Sequence, residues 1–155
     1  MTKRLWTAAI LFVVVVAEVL AQSKTSVAPA TPPAPSLYKR LGGYDAIAAV
    51  IDDFLAQMAQ DKQLSRFLVG LSDSSKGRLR QLAIEQVCQA AGGPCVYVGR
   101  DTKTAHKGLG ITGSDWDLSV KALVASLDKF KVPVKEKDEL LGIVSSLKPD
   151  IVEKP

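Results

Sequence analysis

The chain has 155 residues, 47% apolar and 23% charged, a length and balance that suit one packed domain and exclude wholesale disorder. Its net charge of +4 is mild. Lysines and arginines are interspersed with acids, with no basic block and no interleaved aromatics, so no nucleic-acid partner is expected.

Lys3 and Arg4 precede a nearly unbroken apolar run from Leu5 to Ala17, and Val19-Leu20-Ala21 places small or medium residues where a signal peptidase reads. The run falls short of the ~20 apolar residues a membrane span needs, and Glu18 would sit badly in hydrocarbon. Residues 1–21 therefore read as a signal peptide cleaved after Ala21, which sends the protein to a periplasm or outside the cell. An uncleaved segment that anchors the protein in a membrane is the alternative. From Gln22 to Pro35 the composition turns to Ser, Thr, Ala and Pro, too poor in apolar area to offset its ordering entropy, so residues 22–35 read as an extended linker.

Export would carry Cys88 and Cys95, the two cysteines of the chain, into an oxidising compartment. They bracket Gly92-Gly93-Pro94, a helix stop and chain reversal able to bring them together. Closing so short a loop stabilises by roughly 2 to 3 kcal/mol. A disulfide is expected, with one half-buried and one exposed free thiol as the alternative. Neither a C-x-x-C pair nor a C-x-x-C-H attachment site is present.

From Ser36 onward the pattern is helix after helix. Ser36 to Leu41 is a short turn stopped by Gly42 and Gly43. A helix from about Tyr44 to Gln60 carries Ile47, Val50, Ile51, Phe54, Leu55 and Met58 at helical spacing. A short piece covers Lys62 to Leu68, and Gly70 to Ser75 is a polar loop with Asp73 or Ser74 as cap of the next helix. That helix spans about Lys76 to Ala91, with Leu79, Leu82, Ala83, Gln86, Val87 and Ala90 on one side. Thr102 to Lys107 is a short polar helix. Thr112 or Ser114 caps a helix whose Trp116, Val120, Leu123, Val124 and Leu127 face inward. Beyond Pro133 a last helix turns in Leu140, Leu141, Val144 and Leu147. Val96-Tyr97-Val98 is the one β-like stretch. The expected fold class is all-α, with the domain over residues 36–152.

His106 is the sole histidine. It cannot assemble a zinc site, which needs four N or S ligands. No G-x-S-x-G elbow, Walker loop or dinucleotide glycine motif is present. Haem is the cofactor for which one histidine suffices, because one imidazole binds the iron while apolar helices cover the porphyrin. Gly108 and Gly110 let the chain turn sharply after His106, and Lys103 and Lys107 could reach carboxylate propionates; a solvated role for both lysines is the alternative.

Several motifs then fall in register. Leu37-Tyr38-x-x-Leu41-Gly42-Gly43, Asp53-Phe54, Gln63-Leu64-Ser65-x-Phe67 and Gly92-Gly93-Pro94 with Tyr97-x-Gly99 come first in the chain. Lys103-x-x-His106-x-Gly108-x-Gly110-Ile111-Thr112, Val132-Pro133 and Leu141-Gly142-Ile143-Val144 follow. Together, over Ser36 to about Val152, they resemble the group 1 truncated hemoglobins. The resemblance implies a two-over-two helical sandwich around one b-type haem, with His106 as the proximal ligand to the iron. It implies Phe54, Leu55, Phe67, Leu68, Leu79, Ala83, Lys103, Ile111 and Val120 as haem-contacting residues, a diatomic gas as ligand and a reductase, unidentified, as partner.

The chain departs from the family where the gas is held. A tyrosine after the Phe of the first long helix and a glutamine on the distal helix are usual there, as donors to oxygen. Here the matching residues are Leu55, Leu79 and Ala83, and Leu68 stands where a phenylalanine is expected. Gln86, one turn further on, is the polar side chain nearest to substituting for the donors; a solvent-facing role is its alternative. Three classes of function stay open: a carrier, sensor or scavenger of oxygen, NO or CO at a pentacoordinate iron; a haem enzyme such as an NO dioxygenase or peroxidase; and a helical interaction module with weak haem binding.

Overall fold

The structure, a computed structural model, describes residues 34–154. The expected signal peptide and most of the linker lie outside the described residues. Among the described residues seven α-helices follow in chain order: α1 Leu37–Arg40, α2 Gly43–Gln60, α3 Asp73–Ala90, α4 Thr102–His106, α5 Gly113–Lys129, α6 Val134–Ser146 and α7 Lys148–Ile151, with a 3-10 turn at Ser65–Phe67 between α2 and α3. Among the described residues the one β pairing is an isolated parallel bridge between Thr112 and Lys154. Val96-Tyr97-Val98 is therefore not a strand. It is an irregular segment whose Tyr97 amide donates to Gln89 Oε1 at 2.6 Å and whose valines are exposed, at 72% and 71%.

Local chemistry sets most boundaries. Gly42, at φ +97°, is the left-handed residue from which α2 departs. The helix stops at Asp61, which turns extended and accepts hydrogen bonds from the Gln63 and Leu64 amides at 2.8 and 2.9 Å, starting the next turn. The cap of α3 is Ser72 and not Asp73 or Ser74. Its hydroxyl accepts from the Ser75 amide at 3.2 Å, so α3 begins at Asp73, earlier than its apolar periodicity indicates. At its far end Gly92 adopts φ +75° and the Gly93 amide donates to the Cys88 carbonyl at 2.8 Å. A Cβ on Gly93 would lie 2.7 Å from Cys88 Sγ and 2.5 Å from the Tyr38 ring, so glycine is needed there for space. Thr112 caps α5 through a full capping box with Asp115.

Helix α2 lies between two apolar clusters. On one side Val50 meets Leu123 and Leu127 of α5 and Leu140 of α6. On the other, Ile47, Ala48 and Ile51 meet Ile84 and Cys88 of α3. Ile84 and Leu127 are essentially sealed from solvent, each worth roughly 1.5–3 kcal/mol of burial. Polar ties lock the same helices in register. Asp53 on α2 accepts from Gln57 Nε2 and Ser126 Oγ, each at 2.8 Å, and pairs with Lys129, joining α2 to α5. Arg40 reaches from α1 to Glu136 and Glu139 on α6.

Candidate functional site

Between these layers lies a cavity of about 400 Å³, within the range of small-molecule and cofactor sites. Phe54, Leu55 and Met58 of α2 line it, together with Phe67 and Leu68, and with Leu79, Leu82, Ala83 and Val87 of α3. Trp116, Leu123 and Leu127 of α5, Leu140, Ile143 and Val144 of α6, and Leu109 and Ile111 complete the walls. The large apolar side chains Leu79 and Leu109 of this wall are exposed, at 36% and 48%.

The polar side chains of the wall are committed to protein partners. Tyr97 donates to the Arg100 carbonyl at 2.6 Å and Ser119 to the Trp116 carbonyl at 2.7 Å. Gln86 Nε2 donates to Thr102 Oγ1 at 3.1 Å. Asp115 is buried at 2% exposure and accepts from the Thr112 amide at 2.8 Å, Gln63 at 2.8 Å and Arg66 at 2.6 Å. Burial pushes the Asp115 carboxyl up, but these donors, led by the Thr112 amide, outweigh it and hold the pKa below the ordinary value. Asp115 is thus an anionic tie between α5 and the turn after α2.

His106 is the exception. Its Nδ1 lies 2.8 Å from the Thr102 carbonyl oxygen, one turn back in α4. A carbonyl only accepts, so in the neutral ring Nδ1 carries the proton and Nε2 keeps its lone pair. A backbone partner on one nitrogen that fixes the other for coordination is the usual arrangement of a metal-ligating imidazole. Among the described residues no group of three or more His, Cys, Asp or Glu converges to hold an ion. A flat apolar cofactor that brings its own metal and needs one axial nitrogen fits these residues.

Of the haem-contacting residues expected from sequence, Phe54, Leu55, Phe67, Leu68, Leu79, Ala83, His106 and Ile111 line the cavity. Val120 and Lys103 do not. On α5 the lining residues are Asp115, Trp116, Ser119, Leu123 and Leu127; Val120, four residues from Trp116 and so near the same helix face, is half-buried at its edge and stays outside the lining. Lys103 is exposed on α4, where a lysine keeps its charge hydrated. Sequence reasoning missed Tyr97, Leu109 and Ile151 as lining residues, although Tyr97-x-Gly99 was visible as a motif. It also missed Ile84 and Cys88 as core, because α3 buries them on the face opposite the cavity. Cys88 and Cys95 form a disulfide, with Cα atoms 5.8 Å apart.

A helical sandwich around an apolar cavity with one available imidazole defines a globin-type cofactor-binding domain. Residues 36–153 match the profile of the bacterial-like globin family. The group 1 truncated hemoglobin GlbN of Mycolicibacterium paratuberculosis is 34% identical over 116 residues, covering 75% of this chain and 83% of that protein. GlbN of Synechocystis sp. is 33% identical over 102 residues, covering 63% and 80%. The truncated hemoglobin of Tetrahymena pyriformis superposes with a TM-score of 0.70 at 21% identity over 76% of this chain and 98% of that one. The 2/2 hemoglobin of Synechococcus sp. superposes with 0.69 at 27% identity over the same shares. The chain belongs to the group 1 truncated hemoglobins, and its fold is the two-over-two globin sandwich. As a member of that family it is a haem-binding globin.

Proposed function

We propose that His106 Nε2 is the sole axial protein ligand to a non-covalently held b-type haem, and that the protein reversibly binds a diatomic gas on the opposite face as a carrier, sensor or scavenger. The observation that carries this reading is the Nδ1–Thr102 contact at 2.8 Å, which leaves Nε2 as the nitrogen free to coordinate in a mostly apolar cavity. Haem iron, when bound, supplies the electron-rich centre at which oxygen, CO or NO coordinates. The walls are mostly apolar, and the side chains of Leu55, Leu79 and Ala83 present no donor or acceptor to a gas. Cys88 and Cys95 are bonded to each other and are the two cysteines of the chain, so no thiol is left for thioether attachment. The disulfide also supports export, since such bonds persist in oxidising compartments.

Visible absorption spectra of the purified protein, oxidised, reduced and with CO, test the reading. The expected result is a Soret band with the pattern of one histidine ligand and an open sixth position in the reduced form. His106→Ala should lose stoichiometric haem, because no second histidine can replace it. An unchanged reduced spectrum and affinity in that variant would falsify the assignment.

A further inference from the structure

His106 is the last residue of α4, a helix of 5 residues, too short to hold its shape in water unaided. Its ring direction therefore depends on what fixes the two ends of α4. At the start, Asp101 accepts from the Thr104 amide at 2.8 Å, and Gln86 ties down Thr102. At the end, the chain leaves through Gly108 at φ +85° and Gly110 at φ +64°. Nothing lies within 4 Å of a Cβ built on Gly108, so the glycine is there for the backbone turn and not for space. Such a turn aims successive amides at one point, a ready anion cradle.

The group in that cradle comes from the far end of the chain. Glu153 Oε1 accepts from the Gly108 amide and Oε2 from the Gly110 amide, both at 2.6 Å. The tail around it is stitched to the same loop: the Glu153 and Lys154 amides donate to the Ile111 carbonyl at 2.9 and 3.2 Å, and the Gly113 amide donates to the Lys154 carbonyl at 3.1 Å. These two amides, Gly108 first, hold the Glu153 carboxyl below its ordinary pKa, with Lys154 and Lys107 adding to the effect. Leu109 and Ile111, inside the clamped loop, both line the cavity.

We propose that Glu153 is a positioning residue for His106: its carboxylate closes the glycine turn after α4 and so sets the direction in which the imidazole faces the cavity. The proposal rests on His106 being the axial ligand. It makes the C-terminal tail part of the proximal side of the site.

The test uses the full, haem-loaded chain with Glu153→Ala and Glu153→Gln, and two readouts: amide hydrogen exchange at Gly108 and Gly110, and the iron–histidine stretching band of the reduced protein. Losing two charge-assisted hydrogen bonds should speed exchange at both glycines about tenfold. It should also shift and broaden the iron–histidine band, with Glu153→Gln, which keeps one acceptor oxygen, between wild type and Ala. If Glu153→Ala does not fold, Glu153→Gln decides on the same readouts. A folded, haem-retaining variant with unmoved band and exchange overturns the proposal alone. Absence of the band in the unsubstituted protein overturns the reading of His106, and the proposal with it.

Discussion

Gln86 on α3 and Thr102 on α4 are joined by a side-chain hydrogen bond of 3.1 Å, and the Thr102 backbone carbonyl in turn accepts a hydrogen bond from His106 Nδ1 at 2.8 Å. One residue thus links the helix that covers the cavity to the nitrogen that orients the ligand ring. Gln86 is engaged on the His106 side of the site. The polar side chain nearest to replacing the family's missing distal donors is held elsewhere.

Substituting Gln86→Leu should therefore leave oxygen dissociation within about twofold of wild type while loosening α4. Breaking one neutral hydrogen bond costs about 0.5–1.5 kcal/mol. A double-mutant cycle with Thr102→Val, read by urea unfolding, should return a coupling energy of that size. A tenfold or larger change in oxygen dissociation in Gln86→Leu would show that its amide reaches the gas.

Leu55→Tyr should slow oxygen release by about tenfold or more. A hydroxyl facing partial negative charge in a low-dielectric pocket gains about 1.5–3 kcal/mol, and each 1.4 kcal/mol is a factor of ten. CO, which carries little charge, should respond far less. Stopped-flow measurement of both gases decides it, and equal effects on the two would point to steric closure and away from polarity.

Acid should weaken the domain through Asp53. Hydrogen bonds from Lys129 first, then Gln57 and Ser126, lower its pKa from 3.8 to about 2. Because the folded value lies below the unfolded one, the stabilisation is present above pH 3.8 and is lost as pH falls through about 2. Urea midpoints measured from pH 5 down to pH 2 should fall less steeply in Asp53→Asn than in wild type. Parallel slopes would assign the acid sensitivity to other carboxylates.

The pairing of Cys88 with Cys95, 7 residues apart, is open to direct chemical test. Protein produced under oxidising conditions should resist alkylation until it is reduced, as read by mass spectrometry. Replacing both cysteines by alanine should lower unfolding stability by roughly 2 to 3 kcal/mol from loop closure, plus the packing lost at fully buried Cys88.

What the sequence by itself determined was local and periodic. The stripe Leu79, Leu82, Ala83, Gln86, Val87 and Ala90 follows helical spacing and lines the cavity, and the capping of α5 was narrowed to Thr112 or Ser114 because a capping hydroxyl and its partner amide lie within one turn, the structure choosing Thr112. The family was legible because its glycine turns and lone histidine recur in register. Tertiary structure alone decided which of two apolar faces of α3 meets the cavity and which buries Ile84 and Cys88 against α2, since periodicity gives a stripe without naming its neighbour. It alone left Val120 outside the cavity lining and joined Gln86 to Thr102, and it alone brought Glu153 onto Gly108, 45 residues away in sequence. A carboxylate and two amides so far apart carry no mutual signal along the chain. Their attraction becomes a contact only after packing of the helices has brought the tail back to the loop.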